Sequence, residues 1–149
     1  MSKNNRYIDW KNWEADSFAK TSKLEEAYFN NIFKLLKLKK SSKILEIGFG
    51  NGSFLGYAVS QKFNYDGVES NQNLVDLAID NNFSAYTSLD KINRETKYDL
   101  IILFDVIEHI NADAVEEFFK EMNAHLEETG SIFLRFPNGS SPLGLGNQH

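Results

Sequence analysis

Apolar residues along the chain follow two spacings, one typical of strands and one typical of helices. Helical spacing predicts helices that start at Ser22, just after Gly52, near Ser70 or Asn71, and near Val115. Because strand and helix patterns alternate, the sequence predicts an α/β fold, a three-layer sandwich with a mostly parallel sheet. Short apolar runs predict the strands of that sheet at 43–47, 65–69, roughly 83–87, 98–104 and 131–136.

Two of the predicted helices carry further signals. Ser22 and Glu25 fit the S-x-x-E capping box, in which each side chain binds the backbone amide of the other residue. The last helix has apolar residues at helical spacing over 115–126, and Gly130 is expected to end that segment. The first helix is expected to carry its apolar face at Leu24, Tyr28, Ile32 and Leu35.

Composition narrows the class of protein. The chain has 149 residues, the size of one domain, and a net charge of −5, which argues against a general attraction to nucleic acid or to an anionic membrane. It has no cysteine, so disulfides and thiolate metal sites are excluded. Nothing resembles a signal peptide or a membrane span, and we expect a cytoplasmic protein. The expected division is an N-terminal segment at 1–21, one domain at 22–138 and an irregular tail at 139–149.

The stretch ILEIGFGNGSFL places three glycines directly after the first predicted strand. Glycine adopts positive φ and lets the backbone approach a ligand without a Cβ clash, so Gly48, Gly50 and Gly52 predict a ligand-binding turn. In open α/β sheets the ligand lies beyond the carboxyl ends of the strands, where the strand order reverses. The first predicted strand ends at that point. A tight turn without a ligand is the alternative.

Two classes of ligand use such a turn. A dinucleotide places its pyrophosphate on the helix N-terminus with the pattern G-x-G-x-x-G/A, which this chain does not match because its third glycine comes one residue early. S-adenosylmethionine carries a sulfonium and an ammonium group, so the carboxylate of Glu46 favours it and would repel a pyrophosphate. Glu69, at the end of the second strand, is placed to bind ribose hydroxyls in either case.

Four stretches resemble the successive motifs of the class I S-adenosylmethionine-dependent methyltransferases: ILEIGFGNGSFL, YDGVESNQNLVDLA, YDLIILFDVIEHI and GSIFLRFPN. The resemblance runs from about Leu24 to Asn138 and implies a Rossmann-like sheet with the cofactor across the ends of strands one, two and four. The family often has Asp at the position of Ser88. The segment PNGSSPLGLGNQH also resembles methyltransferases of bacterial surface-polysaccharide pathways. The implied cofactor contacts are Glu46, Gly48, Phe49, Gly50 and Gly52 at the methionine part, Glu69, Ser70 and Asn71 at the adenosine, Ser88 and Leu89 near the adenine, and Phe104, Asp105 and Val106 closing the methionine side.

The acceptor chemistry has one candidate catalytic residue. A hydroxyl nucleophile needs a proton acceptor, and His109 is the candidate because histidine titrates near neutral pH. A helix-capping or substrate-orienting histidine is the alternative. Asp105, Glu108 and His109 also have the D-x-x-E-H spacing that places a divalent metal in some methyltransferases, on the assumption that the three share a helix face. Without a fourth ligand, no metal is assigned.

The two ends of the chain leave questions open. Trp10, Trp13 and Phe18 fit either a lid over the cofactor or a face of the core, and Arg135 fits either a surface position or an anion contact. The family's sheet has seven strands, and the 13 residues after Phe136 cannot supply the last two, so a fragment or a short variant is expected. Strand 131–136 would then lie at the sheet edge, where we expect self-association.

Three functions fit these observations. The first is methyl transfer from S-adenosylmethionine to a small molecule or sugar, or the cofactor-binding portion of such an enzyme. The second is an NAD-binding domain. The third is a methyltransferase-like module that binds partners without catalysis.

Overall fold

The computed structural model describes residues 17–137, and the sequence predictions for Trp10, Trp13 and the tail lie outside this range. No helix within this range is long and apolar enough to cross a membrane. Short 3-10 turns lie at Leu89–Lys91, Ile107–His109 and Ala112–Ala114. The regular elements are α1 (Lys23–Leu36), β1 (Lys43–Ile47), α2 (Ser53–Ser60), β2 (Asn64–Val68), α3 (Gln72–Asp80), β3 (Ala85–Tyr86), β4 (Tyr98–Phe104), α4 (Val115–Ala124) and β5 (Leu126–Arg135).

The five strands form one parallel sheet in the order β3-β2-β1-β4-β5. The chain builds outward from β1 through β2 to β3, then crosses back to place β4 on the other side of β1. Strand order therefore reverses between β1 and β4, and a crevice opens at their carboxyl ends. The predicted α/β fold with a parallel sheet is confirmed, and β1 and β4 have the predicted bounds.

Helices cover both faces of the sheet because side chains alternate along each strand. Ile44 of β1 and Leu100 of β4 face a core with α1 and α2, which contribute Phe29, Phe33 and Phe54. Leu45, Ile101 and Leu103 point the opposite way and pack with Met122 of α4. All nine side chains are at most 9% exposed. This three-layer core holds the ends of β1 and β4 in fixed positions.

Helix α1 begins as predicted but buries a different face. The capping box is confirmed: Ser22 N–H donates to Glu25 Oε2 at 2.8 Å, and Glu25 N–H donates to Ser22 Oγ at 3.2 Å. The predicted apolar face is wrong at two positions, because the side chains of Leu24 and Leu35 are 82% and 74% exposed. A neighbouring aromatic stripe is buried instead, since its rings pack edge-on against Phe54 of α2 and against Phe63, which follows α2. The buried α1 residues are Phe29, Ile32 and Phe33.

The junction between α4 and β5 also differs from the prediction. The helix ends at Ala124, before Gly130, and β5 begins five residues earlier than predicted. Tyr98 N–H donates to the carbonyl of His125 at 2.9 Å, which starts the pairing of β5 with β4 at this early point. The register then shifts between Tyr98 and Leu100, because Tyr98 pairs with Leu126 and Leu100 with Ser131. The residues between form an irregularity that the apolar spacing does not reveal.

Phe18 belongs to a core cluster. Its ring packs edge-on against Phe49 at 6.4 Å and against Phe83 at 6.2 Å between centroids. The same ring lies against Gly52, where an added Cβ would be 3.1 Å from it. The segment that precedes α1 therefore packs directly on the glycine turn.

Candidate ligand-binding site

A cleft of about 990 Å³ opens at the carboxyl ends of β1, β2 and β4. Its wall comes from the glycine turn after β1, the residues that follow β2, the turn after β4 and the first turns of α1. Because the carboxyl ends of parallel strands meet at one edge of the sheet, residues far apart in the sequence converge there. The predicted site residues that line this cleft are Glu46, Gly48, Phe49, Gly50, Glu69, Ser70, Asn71, Phe104, Asp105, Val106 and His109.

The glycine turn depends on backbone conformations that other residues rarely adopt. Gly48, Gly50 and Gly52 have φ angles of 77°, 51° and 75°. Gly48 N–H donates to the carbonyl of Val68 at 2.7 Å, which holds the turn against the end of β2. A Cβ on Gly48 would lie 2.4 Å from Cγ2 of Val106, so the turns after β1 and β4 are in close contact.

Glu69 is held by the backbone around it. Its Oε2 accepts a hydrogen bond from Gly50 N–H at 3.1 Å, and its Oε1 accepts from Asn71 N–H at 3.0 Å and from Ser70 Oγ at 3.3 Å. Asn71 is also the N-cap of α3, where its side chain accepts from the N–H of Asn73. The carboxylate is therefore fixed between the glycine turn and the start of α3, facing the cleft.

Glu46 lies deeper, with 3% of its surface exposed. The hydroxyl of Tyr65 donates to its Oε2 at 2.6 Å. Burial raises the pKa of Glu46 to about 8; the hydrogen bond from Tyr65 opposes this effect and the charge of Glu69 adds to it. No ion pair involves Glu46 or Glu69 within residues 17–137. At neutral pH this carboxyl favours its protonated form, in contrast to the carboxylate assumed from the sequence.

Asp105 and Arg135 close the other side of the cleft. Asp105 has a φ of 55°, a left-handed conformation that is uncommon for a residue with a side chain. Its side chain forms an ion pair with Arg135, and its N–H donates to the carbonyl of Arg135 at 2.8 Å. The guanidinium also lies 4.8 Å from the ring centre of Phe104 and 5.6 Å from that of Tyr28. Arg135 therefore belongs to the cleft wall.

His109 lies on the cleft wall in the 3-10 turn Ile107–His109. Its side chain is exposed and forms no hydrogen bond with the described part of the chain. The assumption of a shared helix face for Asp105, Glu108 and His109 is wrong, because this segment is a single 3-10 turn and Asp105 pairs with Arg135. Over residues 17–137, no three His, Asp or Glu side chains converge on a common point.

Residues 21–148 match a family model described as a methyltransferase domain. The chain belongs to this methyltransferase domain family. No curated protein matches the chain.

Solved structures share the fold of this methyltransferase domain. A SAM-dependent methyltransferase from Archaeoglobus fulgidus has a TM-score of 0.71 at 17% identity, over 97% of this chain and 62% of that one. A TehB-like SAM-dependent methyltransferase from Corynebacterium glutamicum has a TM-score of 0.67 at 21% identity, over 91% of this chain and 73% of that one. CalS10, a SAM-bound amino pentose methyltransferase from Micromonospora echinaspora, has a TM-score of 0.62 at 18% identity, over 76% of this chain and 50% of that one. The chain thus spans 50% to 73% of these three proteins.

Three of the predicted contact residues lie away from the cleft of the methyltransferase domain. Gly52 is the N-cap of α2 and faces Phe18. Ser88 caps the 3-10 turn Leu89–Lys91, and its hydroxyl donates to Asp90. Leu89 is 6% exposed and packs in the core beside Leu103. The motif positions locate these residues near the strand ends, but the backbone of Gly52 and the side chains of Ser88 and Leu89 are engaged in local contacts.

Other residues line the cleft without having been predicted as contacts. Glu25 carried a signal in the sequence, the capping box, but that signal concerns the start of a helix. Arg135 ends β5, and its place in the cleft depends on the pairing of β5 with β4. The sequence gives no sign that α1 faces the site. Arg135 was considered as an anion contact and Glu108 as a metal ligand, but neither was predicted to contact the cofactor. The lining residues outside the predicted cofactor contacts and His109 are Glu25, Tyr28, Phe29, Asn51, Ser53, Phe54, Glu108, Ile110 and Arg135.

Proposed function

We propose that this chain binds S-adenosylmethionine and transfers its methyl group to a small-molecule or sugar acceptor. The observation that carries the proposal is the Glu69 carboxylate, held toward the cleft by the amides of Gly50 and Asn71. Each oxygen is anchored by a backbone N–H and retains acceptor capacity for a ligand hydroxyl. A pair of ribose hydroxyls matches this arrangement.

The charge of the cleft favours a cationic ligand. The described wall holds five carboxyl groups against one guanidinium. Asp105 pairs with that guanidinium and Glu46 favours its protonated form, which leaves Glu25, Glu69 and Glu108 to set the charge of the cleft. Such a cleft attracts a ligand with sulfonium and ammonium groups and repels the pyrophosphate of NAD. When bound, S-adenosylmethionine supplies a methyl group on an activated sulfonium. The acidic residues of the wall are Glu25, Glu46, Glu69, Asp105 and Glu108.

The acceptor is proposed to bind beside the turn that follows β4. His109 is exposed there, and its ring has no hydrogen-bond partner in the described part of the chain, so it is available to accept a proton from an acceptor hydroxyl. Phe104 and Ile110 provide apolar surface nearby. A small-molecule or sugar acceptor is supported by the shared fold with CalS10, which acts on an amino pentose.

Calorimetry with S-adenosylhomocysteine, the demethylated product, and with NAD tests the proposal. We expect S-adenosylhomocysteine to bind and NAD not to bind. Glu69→Ala should weaken S-adenosylhomocysteine at least about tenfold, because a charge-assisted pair of hydrogen bonds is worth ~1.5–3 kcal/mol. Glu95→Ala, at an exposed carboxylate outside the cleft, should leave the affinity unchanged.

Two results would contradict this function. Tighter binding of NAD than of S-adenosylhomocysteine would indicate a dinucleotide site. An affinity for S-adenosylhomocysteine that changes less than about twofold in a folded Glu69→Ala variant would remove Glu69 from the site.

A further inference from the structure

An exposed ion pair lies on the wall of the cleft at the ends of β4 and β5. The side chains of Asp105 and Arg135 are 46% and 44% exposed, and both line the cleft. Nη2 of Arg135 donates to Oδ2 of Asp105. The pair therefore presents a hydrogen-bond donor and an acceptor side by side to a molecule that enters the cleft.

Packing and hydrogen bonds fix the position of this pair. Asp105 N–H donates to the carbonyl of Arg135 at 2.8 Å, and Arg135 stands opposite Phe104 in the register of β4 and β5. The guanidinium lies against the rings of Phe104 and Tyr28, and the Tyr28 hydroxyl is a further hydrogen-bonding partner. A group that is already held in place loses little conformational entropy when a ligand binds to it.

The pair keeps hydrogen-bonding capacity for a ligand. A guanidinium has more N–H donors than the Asp105 carboxylate and the Tyr28 hydroxyl engage. A carboxylate accepts several hydrogen bonds, and the bond from Arg135 uses Oδ2 of Asp105. A ligand that both donates and accepts can therefore bind both side chains without separating them.

The charges around the pair disfavour an ionic ligand. Asp105 neutralises the charge of Arg135, which also acts on Glu25, and Glu108 is an exposed carboxylate on the same wall. A carboxylate or phosphate brought to Arg135 would lie near these acidic side chains and be repelled. An ammonium has no acceptor for the N–H groups of Arg135. A hydroxyl is uncharged and both donates and accepts, so two neighbouring hydroxyls match the pair.

The sheet order separates this pair from Glu69. Glu69 follows β2, whereas Asp105 and Arg135 lie at the ends of β4 and β5, and β1 lies between β2 and β4. His109 follows β4 in the same wall of the cleft as the pair. The cleft of about 990 Å³ is at the upper end of the ~300–1,000 Å³ that small-molecule sites span, which leaves room for an acceptor beside the cofactor.

We propose that Asp105 and Arg135 bind two neighbouring hydroxyls of an uncharged sugar, which is the methyl acceptor. One hydroxyl donates to the Asp105 carboxylate, and the other accepts from the Arg135 guanidinium. Binding at two points orients the sugar ring relative to His109. This inference rests on the proposed function, because it names the acceptor class of the same cleft.

Saturation-transfer NMR with matched sugars tests this assignment on protein saturated with S-adenosylhomocysteine. The probes are the methyl glycosides of glucose, galactose and mannose. Each is compared with its uronic acid, in which a carboxylate replaces the terminal hydroxymethyl group. At least one neutral glycoside should bind, about tenfold tighter than its uronic acid, because the acidic side chains of the wall repel the added carboxylate.

Two variants separate the roles of the pair. Arg135→Gln should weaken the neutral glycoside about tenfold, because the amide lacks the charged donors. Asp105→Asn should reverse the preference, so that the uronic acid binds tighter, because the guanidinium is no longer neutralised. Asparagine suits this turn, since it adopts the positive φ of Asp105 more readily than most residues do. Arg94→Gln, at an exposed position outside the cleft, should change neither affinity.

Several results would overturn the acceptor assignment. They are no binding of any neutral glycoside, tighter binding of the uronic acid to the wild type, an unchanged preference in Asp105→Asn, and wild-type affinity in Arg135→Gln. Calorimetry with S-adenosylhomocysteine separates this failure from that of the proposed function. If S-adenosylhomocysteine binds and no neutral glycoside does, the acceptor assignment alone fails. If S-adenosylhomocysteine does not bind the wild-type protein, the proposed function fails and the acceptor assignment with it.

Discussion

Glu25 and Glu46 line one cleft, but their pKa values shift in opposite directions because their surroundings differ. Glu69 is anchored by backbone amides, Glu25 is hydrogen bonded at the start of a helix, and Glu46 is buried with a tyrosine hydroxyl as its partner. Burial without a counter-charge stabilises the neutral form of Glu46. The number of acidic residues in the motif therefore overstates the negative charge of the cleft at neutral pH.

The raised pKa of Glu46 predicts that stability falls with rising pH. The folded protein holds this proton up to about pH 8, whereas the unfolded chain releases it near 4.5. Between these values the folded state binds more protons, so this group lowers the free energy of unfolding by up to ~1.4 kcal/mol per pH unit. Urea denaturation at several pH values should show this slope in the wild type, relative to Glu46→Gln.

Glu46→Gln is a close control because the amide oxygen still accepts from the Tyr65 hydroxyl. The two proteins share every other titrating group, so the difference between their unfolding free energies isolates Glu46. That difference should change between about pH 5 and pH 8 and level off above. A constant difference across this range would show that Glu46 is already ionised in the folded protein.

The turns after β1 and β4 are in close contact, so substitutions in one turn should affect the other. Gly48→Ala should destabilise the protein by ~2 kcal/mol or more, because the new Cβ meets Val106 Cγ2 at 2.4 Å and φ is 77°. Val106→Ala removes the contacted methyl group. The double variant should therefore lose ~1 kcal/mol less free energy of unfolding than the two single variants lose in sum. Urea denaturation measures this difference.

A distant valine provides the comparison for this coupling. Val59 of α2 is 40% exposed, and truncating it together with Gly48→Ala should give effects that add within ~0.5 kcal/mol. If the Gly48 and Val106 effects are also additive, the two turns do not compete for the same space.

One edge strand of the sheet, β5, can pair with a further strand. Within the described residues, β5 pairs with β4 on one side, and its other side has no strand partner. Ile132, Phe133 and Leu134 are partly buried, so both faces of this strand are apolar. We predict concentration-dependent self-association through β5, measured by light scattering, because an unpaired apolar edge strand recruits another strand.

Phe136, just past the end of β5, is 56% exposed and should contribute to the contact. Phe136→Ser is expected to reduce association, whereas Leu35→Ser, at a 74% exposed position of α1, should not. A monodisperse monomer at high concentration would rule out this use of the edge.

The features that depend on local chemistry could be predicted from the sequence. The capping box at Ser22 and Glu25 formed because its partners are three residues apart. The bounds of β1 and β4 followed from continuous apolar runs, which suit strands buried on both faces. Glu69 and His109 reached the cleft because parallel strands bring their carboxyl ends to one edge.

The pairs of surfaces that meet could not be predicted, because they depend on how the helices and strands pack. α1 buries its aromatic stripe because α2 presents rings that fit it, and Arg135 reaches the cleft because β5 pairs with β4. The protonation of Glu46 depends on burial by residues distant in the chain. Packing and desolvation are non-local, since they sum over neighbours brought together by folding, and a local pattern contains no record of those neighbours.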